Sequence, residues 1–254
     1  MIIIKMLNNS KKVFNNSITI IFAKIILFMD GLLASIKIKV PQGIYLKDPE
    51  TTDLGKNILK ESIVLIDEIG FDHFTFKKLG EKINSNESSI YRYFENKHKL
   101  LIYLSSWYWS WIEYKLVFST NNINNAEDKL MSAIKVITEK IEDDLKTSYI
   151  NESILNQIII TEFTKTILTK QIDEEIREGF FVVYKRVISR IVKMLKVLVP
   201  EYPYAKSFVS DMVEGSLHQH FLSNHLKSIT DCNEKTSPTD YYIDLTKKLI
   251  NSKI

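Results

Sequence analysis

Apolar residues along this chain recur mostly at steps of three and four, and strand-like alternation is almost absent, so the pattern predicts an all-α protein. The first clean run, "TDLGKNILKESIVLIDEIG", sets Leu54, Ile58, Leu65, Ile66 and Ile69 at helical spacing. Thr52 or Asp53 stands where an N-cap is expected, and Gly70 where the helix should stop. Phe71 and Phe74 bracket a short connection, after which Thr75 caps a second helix whose Phe76, Leu79 and Ile83 share a face. Gly80 lies beside that face and would admit a close neighbour. Asn84 and Ser85 make a turn, asparagine being among the few residues besides glycine that tolerate a left-handed backbone. Asn86 then caps a third helix predicted over 87–94, with Ile90 and Phe94 pointing inward.

From His98 the chain reads "HKLLIYLSSWYWSWIEYKL", where Leu100, Leu104, Trp107, Trp111 and Tyr114 form a stripe that reads as core. Further amphipathic runs are predicted over 126–145, 152–169, 173–199, 205–226 and 238–251, the last started by Ser237 before Pro238 with Asp240 in the first turn. Three parts follow: a leader and linker over 1–51, a three-helix unit over 52–100, and a larger helical part over 101–254. In the leader, "SITIIFAKIILFMDGLLASI" follows Lys5, Lys11 and Lys12 but is interrupted by Lys24 and Asp30. A charge at mid-bilayer costs roughly 2.5–3.5 kcal/mol on insertion scales. The segment reads as a membrane anchor, an accessory helix, or a disordered or wrongly included start with Met29 as the internal initiator; residues before Met29 are expected to be dispensable for the fold.

Composition narrows the function class. With 45% hydrophobic residues the chain can bury a real core, and its net charge of only +3 requires any basic surface to be local. The single cysteine, Cys232, excludes an internal disulfide and fits a reducing, cytoplasmic setting. Nothing resembling a Ser/His/Asp or Cys/His arrangement, a P-loop or a GxGxxG run points to an enzyme, and no cofactor is implied. His218, His220 and His225 invite a metal reading, but 218 and 220 stand about 200 degrees apart on a helix. No metal site is expected there.

Two helices joined by so short a turn must cross steeply, as in a helix-turn-helix unit that projects its second helix. The outward residues of that helix are Glu87, Ser88, Ser89, Tyr91 and Arg92. Small residues at its start let the backbone approach base edges in a major groove, while Tyr, Arg and Lys reach phosphates. Between Phe74 and Leu100 there are six Lys or Arg, Lys77 among them, against three Glu, a local balance of +3. A plain three-helix bundle with a solvated polar face accounts for the spacing equally well.

The stretch "TFKKLGEKINSNESSIYRYFENKHKLL" resembles the DNA-binding motif of the TetR family of bacterial repressors: a capped second helix, a short turn, then small-small-x-Tyr-x-x-Phe and a lysine. The matching positions are Thr75, Ser88, Ser89, Tyr91, Phe94, Lys97 and Leu100, within a resemblance covering about 53–110. The family's usual Ala in the second helix appears as Gly80, and its Gly-Val turn as Asn84 and Ser85. The resemblance implies phosphate contacts for Thr75, Tyr91, Tyr93 and Lys97, with His98 beside the last, and base reading near Glu87, Ser88 and Ser89. Glu87 either accepts from a cytosine amino group or repels phosphate. The resemblance further implies a double-stranded DNA operator, a homodimer, and a small-molecule effector that releases a repressor. The apolar runs "ILNQIIITEFTKTIL" and "FFVVYKRVISRIVKMLKVLV" line a pocket or fill a core. The helices over 205–226 and 238–251 are expected to make the dimer, with Phe208, Met212, Gly215, His218 or Gln219, and Leu222 recurring on the first and Tyr241, Ile243, Leu245 and Leu249 on the second. The competing function class is a membrane-tethered helical sensor or interaction protein that uses the leader.

Overall fold

Thr52 accepts the Gly55 N–H on its hydroxyl at 3.0 Å and so starts the first long helix, α1 (Asp53–His73), in this computed structural model, which describes residues 38–141 and 149–252. The leader readings lie outside the described residues. Among those described the chain is all helical, with no strand. Gly70 (φ 75°, ψ 155°) throws α1 off its helical path where the stop was expected, and one further turn continues to His73. Thr75 caps α2 (Phe76–Lys82) through the Lys78 N–H, and Asn86 caps α3 (Glu87–Tyr91) through the Ser89 N–H.

The third helix is shorter than its periodicity predicts. Asn96 is fully extended (φ −158°, ψ 172°) because it caps α4 (Lys97–Thr120), accepting the Lys99 N–H at 2.9 Å. The chain must therefore leave α3 before Tyr93, and Tyr93 and Phe94 turn into the core instead of extending the helix. By contrast α4 runs unbroken for 24 residues, about 36 Å at the standard rise. The division expected between residues 100 and 101 lies inside it. Leu100 to Trp109 are all buried, as a helix surrounded on every side requires.

Beyond α4 the predicted runs are present, two of them subdivided, and the end of the run over 126–145 lies outside the described residues. They become α5 (Ala126–Thr138), α6 (Glu152–Glu162), α7 (Thr164–Ile167), α8 (Ile172–Arg177), α9 (Val182–Leu198), α10 (Ala205–His225) and α11 (Pro238–Asn251). The run over 173–199 splits because Gly179 adopts φ 86°, ending α8 so that α9 can turn back along α4. The start of α11 is as the sequence predicts, with Ser237 and Asp240 capping each other reciprocally. Glu113 of α4 receives Arg186 and Arg190 of α9 at 2.5–2.7 Å; burial pushes its carboxyl up, but the two guanidinium groups outweigh this and hold it below the usual carboxylate range.

Part of the apolar face expected to join two subunits is consumed within the chain. Met212 is 1% exposed and Leu222 5%, so both belong to the core of one protomer. A Cβ on Gly215 would stand 2.1 Å from the Tyr242 hydroxyl, so this glycine serves the approach of α10 to α11 in the same chain. Of the three histidines, His220 donates from Nε2 to the Thr138 carbonyl at 2.8 Å and His225 lies against the Phe221 ring.

Candidate nucleic-acid interface

The α2–turn–α3 corner is built by a close backbone approach. Asn84 takes the left-handed conformation (φ 52°) expected of it, and this lets the Ser85 N–H reach the Gly80 carbonyl at 2.9 Å. A Cβ on Gly80 would then lie 2.8 Å from the Ser85 carbonyl oxygen. The glycine that replaces the alanine usual in the motif is thus matched to this turn. Beneath the corner Leu79, Ile90 and Phe94 are fully buried, and Phe76 packs edge-on against Tyr91 at 5.0 Å. Burial of Ile90 turns the opposite side of α3 outward.

On that outward side lie Ser88, Tyr91 and Arg92, all exposed, with Glu87 and Ser89 partly exposed and Thr75 and Lys77 exposed on α2 and its cap. The side-chain oxygen of Asn86 accepts the Ser88 hydroxyl at 2.8 Å and the Ser89 hydroxyl at 2.6 Å, besides the Ser89 N–H. Arg92 Nη2 stands 3.4 Å from the Ser89 hydroxyl oxygen. Asn86 is legible in the sequence as a cap; its grip on two following hydroxyls is a consequence of Asn-x-Ser-Ser spacing that helix periodicity does not reveal.

Three of the ten candidates are turned elsewhere. Tyr93 is 3% exposed and its hydroxyl bonds Thr52 at 2.7 Å, which ties the end of α3 to the start of α1. Lys97 donates to the carbonyls of Phe71, Asp72 and Phe74 at 3.0, 3.1 and 3.1 Å, supplying a donor to the acceptors at the end of α1, where the Phe71 carbonyl also receives the Phe74 N–H. His98 Nε2 meets Glu175 of α8 at 2.9 Å. The motif spacing put these residues beside the DNA face because it carries no record of the groups folded against them. The basic count is likewise drawn down, since Lys82 pairs with Glu68 at 2.9 Å and Lys99 sits over the Phe180 ring at 3.9 Å. Lys82 remains near the surface, where such a pair is worth little and exchanges readily.

The corner is also tied to the rest of the chain. Because Gly70 bends α1, the Phe71 N–H points out of the helix and donates to the Glu162 carboxylate of α6 at 3.3 Å. Lys165 bridges Glu162 and Asp72, each at 2.8 Å, and holds the Asp72 carboxyl below its usual range. Sequence reading missed Glu162 and Lys165, for no local pattern marks a partner ninety residues away.

Residues 58–104 match the family model described as "Bacterial regulatory proteins, tetR family". No curated protein matches the chain significantly. Among solved structures, superantigen PfiT superposes with a TM-score of 0.53 at 13% identity, covering 82% of this chain and 100% of that one. AibR in complex with isovaleryl coenzyme A and operator DNA gives 0.51 at 14%, covering 75% and 97%. A bacterial regulatory protein in the tetR family from Rhodococcus RHA1 gives 0.51 at 12%, covering 76% and 95%. At such identities the likeness establishes the fold, while the family match rests on the α1–α4 region that carries the motif. Residues 58–104 thus match the amino-terminal region of the bacterial tetR-family regulators, and the chain shares the all-helical fold of the structures it superposes on.

Proposed function

We propose that the chain represses transcription as a homodimer on a double-stranded operator and is released by a small molecule bound among its C-terminal helices. The observation that carries this reading is the outward side of α3: Ile90 anchors the helix inward while Glu87, Ser88, Ser89, Tyr91 and Arg92, with Lys77 nearby, lie at the surface. One helix of this length touches few base pairs, so useful specificity needs two, about one helical turn or roughly 34 Å apart. A dimer supplies that geometry. AibR, which shares the fold, is described with operator DNA and an acyl-coenzyme A, and this supports a DNA partner and an effector here. A cavity of about 490 Å³ bordered by Gln157, His220, Lys227 and Pro238 offers room for one. The membrane-tethered reading depends on the leader, and among the described residues no helix is long and apolar enough to cross a membrane.

Gel-shift titration of the full chain against DNA fragments from its own locus, at several salt concentrations, tests the reading. Binding that weakens linearly in log–log salt plots and selects one fragment supports it. Absence of any selective fragment refutes it.

A further inference from the structure

Resting on that DNA-binding reading, the side-chain geometry of α3 narrows which bases it reads. The Asn86 atom that faces the Ser89 N–H at 2.9 Å must be the carboxamide oxygen, because a backbone N–H only donates. That oxygen has no proton to give. The hydroxyls of Ser88 and Ser89, at 2.8 and 2.6 Å from it, therefore both donate to it. Each hydroxyl carries one proton, so what these serines still offer outward is lone pairs. Arg92 occupies part of the Ser89 capacity from 3.4 Å and leaves exposed Ser88 the freer of the two. Glu87 precedes them with a carboxylate, which when ionised only accepts. The side chains at the outward start of α3 are a run of three acceptors with no uncommitted side-chain donor among them.

We propose that Glu87, Ser88 and Ser89 read exocyclic amino groups, the N4 amino of cytosine and the N6 amino of adenine, in the major groove of the operator. Those are the donors that base pairs present there, whereas guanine O6 and N7 and thymine O4 are acceptors. An acceptor facing an acceptor leaves both unpaired once water is displaced. A mismatched position should weaken binding by roughly ten-fold.

The test uses the full-length chain and a random-sequence duplex pool. Bound duplexes are selected, and the enriched half-site is resynthesised with purine for single adenines or 2-pyrimidinone for single cytosines, which deletes the amino group. Control duplexes carry 7-deaza-adenine or 7-deaza-guanine, which lack N7 and keep the exocyclic groups. The expected result is about ten-fold weaker binding for amino deletion at one or more half-site positions and little change for the 7-deaza duplexes. Glu87→Gln, which adds a donor while Asn86 still caps the helix, should admit guanine at one position; Ser88→Ala should abolish one amino dependence. A half-site centred on a guanine whose 7-deaza form fails to bind, and whose preference disappears in Arg92→Ala, would assign the reading to Arg92 and overturn the proposal while leaving the DNA-binding function intact. No enriched duplex at any salt concentration would overturn both.

Discussion

At Lys97 three carbonyl oxygens within 3.1 Å compete with any phosphate for a single ammonium. A hydrogen bond to a charged group contributes about 1.5–3 kcal/mol net, and the Lys97 ammonium also lies 4.8 Å from the Phe71 ring centroid. Lys97→Met is therefore expected to lower the unfolding free energy by about 1–3 kcal/mol in urea melts, with the salt slope of DNA binding nearly unchanged. Lys77→Ala should do the reverse, flattening the slope by about one unit without shifting the melt. A Lys97 variant with wild-type stability and a flattened slope would restore the phosphate role that its spacing implies. His220 provides a residue-level pH test. Burial lowers its pKa below 6.5 and Lys140 adds to this, outweighing the bond to Thr138. Between the folded pKa and 6.5 the unfolded chain binds a proton that the folded chain does not, so stability falls as pH drops through that window. His220→Gln keeps a donor for Thr138 and should flatten this fall; identical pH profiles for the two proteins would remove the assignment.

The helix-turn-helix corner sets the scale of elements. In an exposed helix Gly→Ala gains up to about 1 kcal/mol of propensity. At Gly80 the new Cβ would meet a backbone carbonyl at 2.8 Å, and overpacking of that kind costs about 1–3 kcal/mol. The clash wins, so Gly80→Ala should destabilise the protein by up to about 2 kcal/mol in urea melts and weaken operator binding, although alanine is usual in the motif. Asn84→Gly, at φ 52°, should be nearly neutral. If Gly80→Ala instead raised the melting temperature, the tight turn would be wrong. Most of this corner was legible: Thr75, Asn84 and Asn86 announce the cap, the turn and the second cap in order. The length of α3 was not, because Asn96 ends it by starting the next helix, and the apolar Phe94 fits a longer helix as well as a turn into the core.

For the whole molecule the open term is the second subunit. Met212 and Leu222 already lie in the protomer core, so charged substitutions there should unfold the chain rather than split a dimer. The surface left on the last two helices includes Tyr241, 45% exposed, with His218 and Phe221 less covered than the core beneath them. Tyr241→Glu is expected to shift the sedimentation profile toward monomer, lower operator affinity and preserve the helical circular dichroism spectrum. A monomeric wild-type protein at micromolar concentration would end both the α10–α11 interface and the two-headed model.

The sequence by itself determined the helical class, the capped helix starts and the helix-turn-helix motif, because caps, turn residues and three-four spacing act within a few residues of themselves. It also marked the core aromatic stripe, of which Leu100, Leu104 and Trp107 are buried. Only the tertiary structure decided which of the motif's polar residues face outward. Lys97 and His98 carry donors that any nearby acceptor can claim, and the nearest are the carbonyls at the end of α1 and the Glu175 carboxylate. Glu162 meets the Phe71 N–H across a separation of 91 residues, where only packing brings the two together. Local chemistry names the candidates; competition among buried donors and acceptors, each costly to leave unpaired, selects among them.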